Sequence, residues 1–299
     1  MSDNSITIRN LTRADLPRAA ELWLACFPED DRLFVDYYFS VRTAPERMLG
    51  LFLNGDGKSR LVSMLCFERR RMRTGGGEKR VAFVAGVATD PAYRRRGFVR
   101  ALFAELRERF TREGCAALLL QPFDFAFYEK LGFLPFARRR ICRAAAGGMK
   151  AGPDRPMAAR TELTPALMNE AYTAGMRRPG ALVREPAYFD ALRAEYSLSG
   201  AHSLAFASGR GCAYALWWGG EEGGPLTLDE LLYSDEAAAR ALLGALTERF
   251  SEVGFPVPAE GSPLGSCAAP EFFNMILPLK TPEGVSLEPD PDSFDLQRY

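Results

Sequence analysis

The sequence predicts an α/β fold built on an α+β mixed sheet and divided into two units. The chain has 299 residues, long for one hydrophobic core and short for three, so two domains of roughly 150 residues are expected. Its first half reads as a strand, helices, antiparallel strands and then a strand-helix-strand crossover. Apolar residues make up 47% and charged residues 25% of the chain, which is typical of an ordinary globular protein.

Hydrophobic spacing and turn residues predict the elements of the first half in order. The turn residues NGDG separate two apolar runs, which predicts a pair of strands, and the triplet GGG marks a hairpin tip before the next strand. The predicted elements are strands at 6–10, 48–53, 61–67 and 81–88 and helices at 11–26 and 34–39.

Three arginines and a glycine follow the apolar run VAFVAGVA (81–88) directly. After Gly97, apolar residues recur with helical spacing as far as Phe110, which predicts a helix that begins at this turn and ends near Gly114. A helix N-terminus exposes unpaired amides and the positive end of the helix dipole. The arginines at 94–96 add charge and fork-shaped donors. The turn therefore predicts an anion-binding site for a pyrophosphate, called the anion seat below, and a solvated basic turn is the alternative.

The second half contains a segment whose sequence is similar to that of this helix. The segments RALFAELRERFTREG (100–114) and RALLGALTERFSEVG (240–254) match at eight of fifteen positions, and each follows a predicted strand, the second at 226–233. This indicates a duplicated module, although amphipathic helices also resemble one another by chance. The second turn has neither the arginines nor the glycine. Ser234, Asp235 and Glu236 are expected to cap that helix and to repel a phosphate, which leaves one anion site per chain.

Composition along the chain predicts the domain limits and the kind of ligand. An Ala/Gly/Pro-rich stretch at 144–160 is the expected linker, so we predict domains at 1–145 and 160–280 and a tail at 281–299. Residues 1–150 hold 27 Lys and Arg against 17 Asp and Glu, a net charge of +10, and the remainder has a net charge of −10. The first half therefore prefers an anion, whereas a nucleic-acid binder is more often basic throughout.

Membrane and redox signals are weak in the sequence. No apolar run reaches the length of a membrane helix and the N-terminus does not read as a signal peptide, so we expect a cytoplasmic protein without a membrane partner. The six cysteines contain no C-x-x-C pair. They are expected to be buried reduced thiols rather than disulfides or zinc ligands.

Two segments, in this order, resemble the motifs of the GNAT superfamily of acyl-CoA-dependent N-acetyltransferases. They are RRRGFV (94–99) and FYEKLGF (127–133), about 30 residues apart, and the resemblance covers roughly residues 5–140. In that superfamily the turn R/Q-x-x-G-x-G/A holds the pyrophosphate of coenzyme A; Val99 stands where the pattern has Gly or Ala.

The turn is also similar to that of the enhanced-intracellular-survival branch, which carries a second, degenerate GNAT-like domain. The segment RPGALVRE (178–185) resembles that branch as well. We therefore expect two tandem GNAT-like domains, the second degenerate. Members usually add a sterol-carrier-like third domain, for which the roughly twenty residues after Leu279 are too few.

The resemblance implies acetyl-CoA as co-substrate and no metal. Backbone groups of strand 81–89 would pair with the pantetheine arm, and the arginine turn would hold the phosphates. The residues assigned to the cofactor in this way are Val87, Ala88, Thr89, Arg94, Arg95, Arg96, Gly97, Phe98, Val99 and Arg100. Tyr128 matches the general acid of the superfamily, and packing among neighbouring phenylalanines is the alternative role.

The implied reaction is direct attack by a primary amine of a small molecule or peptide on the acetyl group. The strand 81–89 has no acidic side chain to act as base, and His202 is expected to be structural. Candidate acceptor-binding carboxylates are Asp30, Asp31 and Asp124, with Glu29 beside them; capping of the helix at 34–39 is the alternative for Asp30 and Asp31. In the survival-type relatives the terminal carboxylate, here that of Tyr299, reaches the active site.

Two other classes remain open at this point. A non-catalytic acyl-CoA sensor or interaction protein would use the second domain to bind a partner. A tandem synthase of the mycothiol synthase type would share the two-domain plan, but usually keeps its better site in the second half. Because survival-type relatives assemble as oligomers, a homo-oligomer is one of the states that the resemblance allows.

Overall fold

The computed structural model describes residues 5–55, 57–145, 158–258 and 264–280, and it arranges them as two β-sheets with helices packed on both. The strands are β1 (Ser5–Asn10), β2 (Met48–Gly55), β3 (Lys58–Thr74), β4 (Gly77–Thr89), β5 (Ala117–Leu120), β6 (Leu134–Ala145), β7 (Ala159–Thr161), β8 (Ala201–Ser208), β9 (Gly211–Trp218), β10 (Pro225–Thr227), β11 (Glu230–Tyr233), β12 (Glu252–Pro258), β13 (Ser266–Cys267) and β14 (Glu271–Pro278). The α-helices are α1 (Leu16–Cys26), α2 (Arg32–Tyr37), α3 (Phe98–Arg112), α4 (Phe125–Glu129), α5 (Pro165–Gly175), α6 (Pro186–Glu195) and α7 (Glu236–Thr247).

The larger sheet is mixed and takes strands from both halves of the sequence. Over the described residues its order is β1-β2-β3-β4-β5-β14-β6-β12-β10, with β13 also paired to β6. The pairs β4–β5 and β10–β12 are parallel and the others are antiparallel. The predicted mixed α/β class is confirmed, and β14 is placed between β5 and β6, which no local sequence signal predicts.

The parallel pairing of β4 with β5 is short. It runs from Val81 opposite Ala117 to Val84 opposite Leu120, and there β5 ends while β4 continues to Thr89. The edge of β4 beyond Val84 is therefore not covered by β5. A gap opens between the two strands, and it begins in the middle of the sheet.

Helices cover the two faces of this sheet. The helix α3 buries Phe98, Leu102, Leu106 and Phe110 on one face, as its spacing predicts. On the other face, α1 and α2 pack over a cluster that contains Trp23, and α2 continues as a π-helical turn at Tyr38–Arg42. The helix α3 therefore lies on the opposite face from α1 and α2, whereas the turn before α3 meets the end of α1, where Arg94 Nη2 donates to Cys26 Sγ at 3.7 Å.

The smaller sheet has the order β11-β9-β8-β7 within the described residues. The single strand predicted over 226–233 is wrong, because its two ends belong to different sheets. The amide of Leu228 donates to Gly254 O in the larger sheet, while the amide of Asp229 donates to Leu216 O in the smaller one. The chain crosses between the sheets at this dipeptide, so β10 and β11 are separate strands.

The predicted limits 1–145, 160–280 and 281–299 stay a prediction, since the linker and the tail lie mostly outside the described residues. No helix in the described ranges is long and apolar enough to cross a membrane.

The expectation that all cysteines are reduced thiols is wrong for one pair. Cys142 on β6 and Cys267 on β13 are directly opposite in antiparallel register and form a disulfide. They are 125 residues apart in the sequence, so neither spacing nor local composition indicates the partnership. The described cysteines that remain free are Cys26, Cys66, Cys115 and Cys212.

Removing this disulfide by Cys267→Ser should lower the free energy of unfolding by about 2 to 5 kcal/mol, because the cross-link closes a long loop in the unfolded chain. Chemical denaturation with and without reductant measures the effect. Reductant should lower the midpoint of the native protein and leave that of the variant unchanged. Alkylation of both cysteines in unreduced protein, found by peptide mass mapping, would contradict the pairing.

Candidate active site

The turn before α3 presents main-chain amides that no helix bond uses. The first intrahelical bond runs from the amide of Ala101 to Gly97 O, and no side chain caps the helix at Gly97. Arg95 (φ 62°) and Gly97 (φ 80°) both adopt the left-handed region. Alternating backbone conformations of this kind turn successive amides toward one side and form an anion-binding concavity.

Exposed guanidinium groups surround this turn. Arg94, Arg95, Arg96 and Arg100 are all solvent-exposed. The Nε of Arg94 donates to Thr89 O at 3.3 Å, and the guanidinium of Arg96 lies 5.1 Å from the centre of the Tyr93 ring. The positive charges are thus held beside the open amides, and they reinforce the preference for an anion.

A β-bulge in β4 lies at the start of the gap. Met64 pairs with Ala88 and Cys66 with Ala85, so Gly86 and Val87 together oppose Leu65. Gly86 has a φ of 58°, and a Cβ at this position would collide with the ring of Trp23. A bulge re-aims the backbone, and at this one only glycine combines the left-handed conformation with the close approach of the indole.

Tyr128 lies on α4 among aromatic rings. Its side chain is 3% exposed and its ring centre is 5.1 Å from that of Phe127 and 5.8 Å from that of Phe133. Burial raises the pKa of the Tyr128 hydroxyl above its usual value. The residue packs in the core and also lines the cavity described next, so the two roles weighed from the sequence do not exclude one another.

A cavity of about 790 Å³ joins these features. Of the residues assigned to the cofactor and to catalysis from the sequence, it is lined by Val87, Thr89, Tyr128 and all of 94–100. Ala88 is the exception, because alternation along β4 points its side chain into the cluster under α1. Residues that the sequence did not single out also line it, among them Phe83 on β4 and, directly after β5, Gln121 and Phe123.

The predicted acceptor carboxylates all have structural partners and do not line the cavity. Asp31 accepts from the amide of Phe34 and caps α2, and Asp124 accepts from the amide of Ala126 and caps α4. Asp30 accepts from Trp23 Nε1 at 2.6 Å, and burial raises the pKa of its carboxyl. Their binding role stays a prediction.

The neighbouring Glu29 does line the cavity and is exposed, at the end nearest α1. Tyr299 lies outside the described residues.

The equivalent turn of the second half is closed. Asp235 caps α7 by accepting from the amide of Ala238 at 3.3 Å, and it also accepts a hydrogen bond from Ser208 Oγ at 2.7 Å. The adjacent Ser234 is held by the amide of Cys212 and by Glu170. A carboxylate therefore occupies the position where an anion would bind, as its sequence predicts.

These features define a class of protein: an acyltransferase fold with a split sheet and an anion seat at the following helix. Residues 7–136 match the acetyltransferase (GNAT) domain family. The match covers slightly less than half of the chain and confirms, for this segment, the resemblance inferred from its two motifs. No curated protein sequence matches the chain significantly.

Solved structures with the same fold include proteins of similar overall plan. Eis1 from Mycobacterium abscessus aligns with a TM-score of 0.67 at 17% identity, over 92% of this chain and 74% of that one. A probable N-acyltransferase from Enterococcus faecalis aligns with a TM-score of 0.75 at 14% identity, over the same shares. A tandem GNAT protein from the clavulanic acid biosynthesis pathway aligns with a TM-score of 0.55 at 13% identity, over 91% and 98%. At these identities the likeness concerns the fold.

Alanine at Gly86 and at Gly97 separates backbone strain from steric collision. Both positions have a left-handed φ, but an added methyl group meets open space at Gly97 and the Trp23 ring at Gly86. Gly97→Ala should lower the free energy of unfolding by about 1 kcal/mol, and Gly86→Ala by about 3 kcal/mol. Urea denaturation measures both values. Equal losses would contradict a rigid contact between Trp23 and the bulge.

Proposed function

We propose that the protein is an acetyl-CoA-dependent N-acetyltransferase that transfers an acetyl group to a primary amine of a small molecule or peptide by direct attack. One observation carries the proposal. A single cavity connects the open amides of residues 97–100 with the β4 bulge and with Tyr128, so an anion seat, a strand edge and a proton donor face the same space.

The chemistry of the cavity lining supports coenzyme A as the ligand. The amides at the start of α3 and the guanidinium groups of 94–96 suit a diphosphate. The uncovered edge of β4 suits an arm with amide groups, which can pair with a strand as another strand would. Acetyl-CoA would supply an activated acetyl thioester. The residues that would hold it are those of the turn 94–100 and the strand edge 85–89.

Each chemical requirement of the transfer has a candidate in this chain. The bulge at Gly86 and Val87 re-aims backbone groups into the cavity, where an amide can polarise a carbonyl oxygen. A tyrosine hydroxyl is protonated at neutral pH, and burial raises the pKa of Tyr128 further, so this residue has a proton to donate to a departing thiolate. The core contacts of the Tyr128 ring fix the position of its hydroxyl oxygen.

The acceptor would approach from the end of the cavity beside the C-terminus of α1. Cys26, Phe27 and Glu29 line that end, and Arg94 Nη2 donates to Cys26 Sγ there at 3.7 Å. Among the described residues that line the cavity, Glu29 carries the only carboxylate. A carboxylate at the mouth attracts an alkylammonium ion and can take its proton through one water, which leaves the neutral amine that attack requires.

Tyr128→Phe tests the proton donor. In a thiol-release assay with acetyl-CoA and a panel of polyamines, aminoglycosides, amino acids and peptides, we expect turnover to fall by about 10²-fold, the usual contribution of one general acid. The dissociation constant for acetyl-CoA, measured by calorimetry, should change little because the phosphate seat is untouched.

The same assay decides between an enzyme and a sensor. Binding of acetyl-CoA without thiol release on any acceptor of the panel would count against the enzymatic proposal. Turnover that survives Tyr128→Phe unchanged would remove the assigned role of Tyr128 alone.

Glu29→Gln tests the acceptor end. The substitution keeps the shape and removes the charge, so we expect the KM for a cationic amine to rise roughly tenfold at low salt, and less at high salt because the attraction is screened. Asp31→Asn is the matched control, since Asn also caps a helix. A KM that rises equally in both variants would mean that the general acidity of this loop, rather than Glu29, attracts the acceptor.

A further inference from the structure

The second half of the chain holds residues 32–42, the segment that follows the loop of Glu29 at the acceptor end of the cavity. The helix α2 and the π-helical turn Tyr38–Arg42 lie against α6 of the second half. Tyr37 OH donates to Ala191 O, and the guanidinium of Arg42 pairs with the carboxylate of Glu195 at 3.4 Å. The turn is thus attached to α6 at both ends, and π-helical insertions are frequent at functional sites.

The pair between Arg42 and Glu195 is buried. The two side chains are 6% and 14% exposed. The guanidinium of Arg42 also lies 4.7 Å from the centre of the Tyr188 ring and donates to the Tyr188 hydroxyl at 3.5 Å. Burial alone would lower the pKa of Arg42, but Tyr188 and Glu195 outweigh it and raise the pKa, so the pair stays charged. A buried pair of this kind fixes geometry, because each charge needs its partner in place.

Contacts continue from this turn to the bulge. The Trp23 ring lies 5.0 Å from that of Tyr38 and 5.7 Å from that of Phe39, centre to centre. The same ring rests on Gly86, and its Nε1 donates to Asp30 in the loop beside Glu29. A displacement of the π-helical turn therefore reaches both the bulge and the acidic loop through one indole.

The second half also supports the sheet on this face. Leu182 packs in the cluster that contains Phe83, and Ala85 rests against that cluster. Beside it, the amide of Arg73 donates to Ala181 O and the amide of Gly180 donates to Arg73 O. The second half is consequently placed on the face of the sheet that α1 and α2 cover, opposite α3.

We propose that the second half sets the acceptor side of the active site, with Arg42, Glu195 and Tyr37 as positioning residues that hold α2, Trp23 and the loop around Glu29. The inference rests on the proposed function for its kinetic consequence, but its structural content is independent of it. The second half would then act without a cofactor site of its own. It would determine how well an amine is held, and would leave the binding of acetyl-CoA unchanged.

Glu195→Gln and Tyr37→Phe test this. Each removes one attachment between α6 and the segment and keeps side-chain shape. We expect faster amide hydrogen exchange in residues 32–42 and unchanged exchange at the start of α3. With an active acceptor, KM for the amine should rise by roughly tenfold, as displacement of a positioning element does, while the dissociation constant for acetyl-CoA stays the same. Tyr37→Phe is the milder change and covers the case in which Glu195→Gln does not fold.

Glu185→Gln is the matched control. Glu185 pairs with Arg71 across the same two halves, but both side chains are exposed. This variant should alter neither exchange in 32–42 nor the acceptor KM, because exposed pairs contribute little.

Each result decides something different. Unchanged exchange in 32–42 in both test variants would overturn the inference. Faster exchange with an unchanged acceptor KM would also overturn it, because the segment would then be held but would not serve the acceptor. If the native protein releases no thiol with any amine, the proposed enzyme activity fails and with it the acceptor role of the segment, whereas the exchange measurement still reports whether α6 holds the segment.

Discussion

The early end of the pairing between β4 and β5 is the constraint on which the rest of the site depends. Beyond Val84, main-chain groups of β4 face a gap rather than a strand, and buried backbone groups require partners. The gap stays open because β5 is held on its other side, where Ile276 of β14 lies opposite Leu119. A strand from the C-terminal part of the chain thus keeps the cleft of the N-terminal part from closing.

The parts of the site that could be predicted are those encoded in a few consecutive residues. An arginine run, a glycine and an amphipathic helix specify an anion seat locally, and the helix begins at Phe98 as that pattern requires. The environment of Tyr128 follows from a short motif in the same way. The role of Trp23 could not be predicted from its own segment, because that role depends on a contact with Gly86, which is 63 positions away in the sequence. Gly86 itself is visible in the sequence, because a glycine inside an apolar strand predicts a bulge.

The fold shows the same division between local and distant interactions. Helices and hairpins of the first half follow from periodicity, whereas the insertion of β14 and the pairing of Cys142 with Cys267 depend on residues more than a hundred positions apart. The net positive charge of residues 1–150 predicts a preference for an anion. The structure gives these charges a second use, because ion pairs such as Arg42 with Glu195 join the halves. Sequence totals cannot separate charges that face a ligand from charges that face the other half.

The comparison of α3 with α7 shows how little distinguishes a binding turn from a closed one. The two helices share eight of fifteen residues over 100–114 and 240–254, and both follow a strand. At the start of α3 the cap is Gly97, which has no side chain to offer and leaves the amides open. At the start of α7 the cap is Asp235, whose carboxylate accepts from an amide and places a negative charge where a phosphate would lie. Because capping stabilises a helix and an open N-terminus does not, the uncapped start of α3 gives up stability in the first half that the second half retains. That loss is understandable if, as proposed, a ligand supplies the missing acceptors at the start of α3.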